Sequence, residues 1–161
     1  MTTAFVALGA NLDDPRAQVL RALLELDDIP ESRVVCRSSL YRTAPVGFLD
    51  QPAFINAVAR LDTALDARPL LDALHELEIR HGRRRSVPNA PRTLDLDLLL
   101  FADRVIHEEG LTLPHPRLHE RAFVLAPLAE IAPDAIVPGR GRVEDLLDQV
   151  DRSGVELIDA G

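Results

Sequence analysis

Apolar and polar positions along this chain change period several times, and each change marks an element. Thr3 to Leu8 is largely apolar and reads as a strand, closed by a turn at Gly9-Ala10-Asn11. Asp13 or Asp14 can cap a helix that carries Pro15 in its first turn. Val19, Leu20, Leu23, Leu24 and Leu26 mark that helix's inward face, and Pro30 stops it. Arg33 to Tyr41 reads as a second strand. Arg42 to Pro52, with Pro45, Gly47 and Pro52, reads as a structured loop. Phe54 to Thr63 is a third strand, with Ile55, Ala57, Ala59 and Leu61 on one face. Leu70 to His81 returns to helical period, with Leu70, Leu71, Leu74 and Leu77 inward and Gly82 as a stop.

A polar, basic loop follows from Arg83 to Pro91, and then a strand from Thr93 to Phe101. With period two, Leu94, Leu96 and Leu98 share one face of that strand, and Thr93, Asp95 and Asp97 share the other. Further on, Asp103-Arg104 suggests a turn before a short Val105-Ile106 segment, and Leu113 to Pro116 a second turn. Leu118 to Ile131 reads as a helix despite Pro127. Val143 to Val150 and Val155 to Ile158 add a helix and a strand. The order β-α-β-β-α-β predicts an α+β fold of ferredoxin-like type: an antiparallel sheet, two helices on one face, and extra C-terminal elements. No repeat, linker or low-complexity tract interrupts it, so residues 1–161 read as one domain.

The acidic strand changes the picture from architecture to chemistry. Asp95 and Asp97 point the same way with Cα atoms roughly 6–7 Å apart. Such a pair repels itself unless a cation lies between, and carboxylate oxygens suit Mg²⁺, which also takes phosphate oxygens. Just upstream stand Arg80, Arg83, Arg84, Arg85 and Arg92, with no acidic residue between Arg80 and Arg92. Taken alone, the Asp pair could be the solvent face of an amphipathic strand, and the Arg run a solvated loop. Together they make what a Mg²⁺–polyphosphate site needs.

Composition narrows the chemistry further. The net charge of −8 does not advertise nucleic-acid or membrane binding, so the local Arg cluster departs from its background. All 18 basic residues are Arg. That excludes a Walker-A lysine, a Schiff-base lysine and a lysine general base. Cys36 is the only cysteine, so no internal disulfide can form. No stretch approaches a membrane span, and Met1 to Phe5 lacks the basic start and apolar run of a signal peptide. We expect a cytoplasmic monomer that binds small molecules.

Several motifs are specific enough to name a family. They are Leu8-Gly9-Ala10-Asn11-Leu12, Ser39-Leu40-Tyr41-Arg42-Thr43-Ala44-Pro45 and Asp50-Gln51-Pro52-Ala53-Phe54-Ile55-Asn56. Further along come Glu78 with Gly82-Arg83, Pro91-Arg92-Thr93-Leu94-Asp95-Leu96-Asp97, and Pro114-His115 through Arg121-Ala122-Phe123-Val124-Leu125-Ala126-Pro127-Leu128. With these the chain resembles the 6-hydroxymethyl-7,8-dihydropterin pyrophosphokinases of folate biosynthesis, collinearly from about Phe5 to Asp134.

The resemblance implies transfer of the β,γ-pyrophosphoryl group of ATP to the hydroxymethyl group of the dihydropterin, with release of AMP. It implies that Asp95 and Asp97 hold two Mg²⁺ ions, and that Arg83, Arg92 and Arg85 meet the phosphates. His115 and Arg121 match residues near the triphosphate; His75, Glu78, Leu98 and Thr112 match positions near the nucleotide. For the pterin the matches are Thr43, Ala44, Pro45, Val46, Phe54, Asn56 and Phe123, with the two phenyl rings placed to sandwich a flat heterocycle. The chain departs from the family where Asn89-Ala90 replaces Trp-Gly, and at Ala44, Gly110 and Pro116. Two other functions stay open on the residues: a non-catalytic nucleotide- or pterin-binding module, and a two-metal phosphodiesterase or nucleotidyltransferase.

Overall fold

The computed structural model describes residues 1–44, 52–82 and 94–159. Its strands are β1 (Thr2–Ala10), β2 (Ser32–Arg37), β3 (Leu40–Thr43), β4 (Phe54–Thr63), β5 (Asp95–Phe101), β6 (Ile106–Glu108), β7 (Leu111–Leu113), β8 (Ile136–Val137), β9 (Gly141–Arg142) and β10 (Val155–Asp159). Its α-helices are α1 (Pro15–Leu26), α2 (Ala67–Arg80), α3 (Ala122–Ile131) and α4 (Val143–Asp148), with a 3₁₀ turn at Leu118–Glu120. The main sheet runs β10-β3-β4-β1-β5, with β2 also paired to β4, and each of these pairings is antiparallel. β1 therefore lies at the centre, between β4 and the acidic strand β5. This is the ferredoxin-like order that the element pattern implies.

Alternation sorts the side chains of the central strands onto two faces. Ala4, Val6 and Leu8 of β1, with Ile55, Ala57, Ala59 and Leu61 of β4, meet α1 and α2 in one core. Phe5 and Ala7, with Val58, meet α3 and α4 in a second core on the opposite face. Leu94, Leu96 and Leu98 join the first core, leaving Asp95 and Asp97 to the second face. At Leu98–Leu100 the register against β1 slips, so Leu99 and Leu100 both join the second core before Phe101 returns to the first.

Several details differ from the sequence pattern. Gly9 and Ala10 do not turn; they extend β1 by pairing with Asn56 and Ile55 of β4. The strand expected over Arg33–Tyr41 breaks at Ser38, whose hydroxyl accepts the Val58 N–H and donates to the Ser39 carbonyl, and Arg42 and Thr43 belong to β3 rather than the loop. Leu24 faces solvent, because the buried stripe of α1 is Val19, Ala22, Leu23 and Leu26. β6 and β7 form a hairpin around Gly110 where only a short segment and a turn were expected. The helix expected over Leu118–Ile131 is a 3₁₀ turn followed by α3, with Arg121 at the junction. No helix among the described residues is long and apolar enough to cross a membrane.

Candidate active site

The site is built on two rows of residues that cross the sheet. In one, Gly9 of β1 stands opposite Asn56 on β4 and Asp95 on β5. In the next, Ala7 stands opposite Val58 and Asp97. Residues paired directly across antiparallel strands project to the same face. The two carboxylates thus share a face with Asn56, over a floor that β1 supplies with a glycine and an alanine. Thr43 of β3 lies opposite Phe54 and extends the floor on the far side. The start of α3 closes over this face with Arg121, Phe123 and Val124, and the result is one pocket that Thr43, Ala44, Phe54, Asn56, Asp95 and Asp97 also line.

Hydrogen bonds fix several of these groups. The buried Asn56 amide donates from Nδ2 to Thr43 Oγ1 at 2.6 Å. Asn11, at the end of β1, donates to the Pro52 carbonyl at 3.1 Å and holds the chain entering β4. The Arg121 guanidinium lies 5.5 Å from the Phe123 ring centroid, a cation–π contact between two residues that line the pocket. Glu130, near the other end of α3, accepts from the Tyr41 hydroxyl at 2.6 Å and the Ser39 hydroxyl at 2.8 Å, which ties the helix to β3.

His115 stands beside the acidic pair. Its backbone N–H donates to the Leu99 carbonyl at 2.9 Å, and its Nε2 lies 4.0 Å from Asp97 Oδ1. Burial, with the positive charge of Arg121 next, lowers its pKa to about 4 against a smaller opposing pull from Asp95. The imidazole is therefore neutral at neutral pH. Nδ1 accepts the Arg117 backbone N–H at 3.2 Å, which leaves the ring proton on Nε2, facing Asp97.

The remaining expected residues fall elsewhere. Glu78 is 1% exposed, and its Oε2 accepts the backbone N–H of Leu96 at 2.8 Å. The Leu98 side chain is in the α1–α2 core, so the part of Leu98 that can meet a ligand is its backbone at the sheet edge. His75 is on α2, and Thr112 is exposed on β7 opposite His107. Arg83, Arg85, Arg92, Pro45 and Val46 lie outside the described residues. Ala7, Leu8, Gly9 and Val124 line the pocket without having been expected there. Leu8, Gly9 and Val124 stand inside the quoted motifs, and that position was their only signal.

The donor set fits a hard cation carried in with phosphate. Among the described residues no group of three His, Cys, Asp or Glu side chains could hold a metal ion. Two carboxylates alone leave most of an octahedral Mg²⁺ shell to water and phosphate oxygens, which is the usual arrangement at nucleotide sites.

The family model described as 7,8-dihydro-6-hydroxymethylpterin-pyrophosphokinase (HPPK) matches residues 5–133. A 2-amino-4-hydroxy-6-hydroxymethyldihydropteridine pyrophosphokinase of Pseudomonas aeruginosa is 45% identical over 154 residues, spanning 96% of this chain and 95% of that protein. The protein of the same name from Methylorubrum extorquens is 42% identical and spans 99% of this chain and 100% of its own length. Among solved structures, the crystal structure of wild-type Plasmodium falciparum HPPK-DHPS with pteroate superposes with a TM-score of 0.69 at 14% identity. It covers 92% of this chain and 42% of that one, and it supports the fold. Fold, pocket and relatives together define the class, a diphosphotransferase. Within that class, the chain belongs to the 7,8-dihydro-6-hydroxymethylpterin-pyrophosphokinase family.

Proposed function

We propose that this chain transfers the β,γ-diphosphate of ATP to the hydroxymethyl oxygen of 6-hydroxymethyl-7,8-dihydropterin, releasing AMP. One observation carries the reading. A carboxylate pair suited to Mg²⁺–phosphate and a pair of phenyl rings with a fixed amide, suited to a flat heterocycle, open into the same pocket. A phosphodiesterase would need the first half alone.

In this reading Asp95 and Asp97 hold Mg²⁺, two ions by family resemblance, together with the phosphates. When bound, the metal supplies charge neutralisation and lowers the pKa of the attacking hydroxyl. The protein's own share is placement and electrostatics, because phosphoryl-type transfer asks for little covalent help. Phe54 and Phe123 stack on the two faces of the pterin. Asn56 presents a donor and an acceptor to its ring edge. Arg121 brings a planar cation to the phosphate end, and His115 offers a neutral N–H beside Asp97. Arg83, Arg85 and Arg92 are assigned to the phosphates on their place in the sequence. Leu98 meets the nucleotide through edge-strand backbone groups, with Thr112 and His75 nearby in role.

The test is AMP release by the purified chain with ATP, Mg²⁺ and the dihydropterin, each omitted in turn. AMP formation that needs metal and pterin together, with diphosphorylated pterin as product, supports the reading. Binding of both ligands without AMP makes the chain a binding module instead.

A further inference from the structure

Gly9 occupies the centre of the pocket floor, and its backbone does not explain why it is glycine. It pairs on both sides as a regular residue of β1, with Asn56 and with Asp95, and has no left-handed φ. A glycine inside a strand weakens it and often marks a close approach by another group. That group is the Asn56 amide. A Cβ built on Gly9 would stand 3.0 Å from Asn56 Oδ1, and otherwise meets only the Ile55 carbonyl oxygen, at 3.9 Å, among the described residues. The other end of the same amide is held by Thr43 Oγ1 at 2.6 Å. The amide therefore lies in a slot, with Thr43 at its nitrogen and the bare Cα of Gly9 under its oxygen.

We infer that Gly9 is a positioning residue for the heterocycle, acting through Asn56; this deepens the pterin reading and rests on it. One Nδ2 hydrogen is spent on Thr43. The other hydrogen and the Oδ1 lone pairs form an adjacent donor and acceptor, the pattern that a fused aminopyrimidinone edge complements. A methyl at position 9 displaces Oδ1, and the amide cannot yield without loosening its bond to Thr43. The same missing side chain keeps the floor clear between Asn56 and Asp95, whose strands stand about two spacings, roughly 10 Å, apart. The recognised ring edge sits over one end of this row and the reacting hydroxyl reaches the other.

The experiment measures Gly9→Ala by calorimetry with the dihydropterin and, separately, with Mg²⁺ and a non-hydrolysable ATP analogue. The expected result is a loss of pterin affinity of roughly tenfold or more, with nucleotide affinity within about twofold of wild type. In an Asn56→Ala background the same substitution should change pterin affinity by less than about twofold, since the amide it acts on is gone. Thr43→Val, which removes the other hold on the amide, should weaken pterin binding in the same direction and keeps the inference testable if Gly9→Ala does not fold. Unchanged pterin affinity in either variant, equal losses for both ligands, or additive losses in the double variant would overturn it. A wild-type chain that forms no diphosphorylated pterin would sink the functional reading itself, whereas an active wild type with an indifferent Gly9→Ala sinks this inference alone.

Discussion

The Glu78 carboxylate accepts the backbone N–H of Leu96, the residue between Asp95 and Asp97, at 2.8 Å. Among the described residues β5 is the last strand of its sheet and pairs only with β1, and this N–H points away from β1. A buried N–H left without an acceptor costs about 1–3 kcal/mol. Glu78 thus satisfies the strand edge between the two carboxylates. Its side chain reaches the acidic site through the backbone of β5.

Glu78→Gln keeps an acceptor in place, whereas Glu78→Ala removes it. We expect the Ala variant to melt earlier and to need more Mg²⁺ for half-maximal AMP release, while the Gln variant stays close to wild type in both. A Mg²⁺ titration of AMP release alongside thermal melts decides this. Equal losses for Gln and Ala would mean that the charge, not the acceptor, is what the site uses.

Asp97→Asn removes one of two like charges that stand roughly 6–7 Å apart on one strand face. With a metal role, turnover should fall on the order of 10³-fold or more. The metal-free protein should melt close to wild type, because Asn keeps the size and polarity of the side chain. The reverse pattern, a lower melting temperature with turnover kept, would make Asp97 a structural residue.

How much of this site could be read from the chain depends on what kind of signal each residue carries. Asp95 and Asp97 were legible because they interrupt a leucine-rich strand with period two, and the strand does put them on one face. The slip at Leu98–Leu100 was not, because every residue there is apolar and alternation carries no phase. Gly9 reads locally as a turn former. Only its pairing with Asn56 and Asp95, far along the chain, keeps it extended. The contact of Glu78 was not legible, since a buried carboxylate on a strand amide is a tertiary fact. The break at Ser38 is similar: a hydroxyl bonding the Val58 N–H is invisible to periodicity.

Phe123 carries two partners, the Arg121 guanidinium and, in the proposed reading, the pterin face. Stacking of an aromatic on a nucleic-acid base contributes about 1–3 kcal/mol, so Phe123→Ala should raise the pterin KM roughly 5- to 150-fold. Phe54→Ala should act in the same direction. The ATP KM should move far less for Phe54→Ala, since Phe54 stands on β4 opposite Thr43, two strands from the acidic strand β5. Steady-state kinetics with each substrate varied in turn would show it. A Phe54→Ala effect on ATP alone would place the heterocycle elsewhere.

Tyr41 links the sheet to α3 through Glu130, and it gives a pH signature with little to obscure it. Burial first, then the hydrogen bond to Glu130 and its negative charge, hold the phenol well above its ordinary pKa. The folded protein therefore keeps a proton that the unfolded chain loses from about pH 10 upward. By linkage, the stability this contact contributes is intact below about pH 10 and is lost as the pH rises past it. The chain has no lysine and one tyrosine, so no other tyrosine or any lysine titrates in that range. Tyr41→Phe should cost about 1 kcal/mol at neutral pH from the lost hydrogen bond. It should also flatten the alkaline fall in melting temperature expected of the wild type. Tyrosinate absorbance in the folded protein should rise only at pH well above 10. Parallel melting curves for the two proteins from neutral to alkaline pH would show that the Tyr41–Glu130 contact does not hold α3 to the sheet.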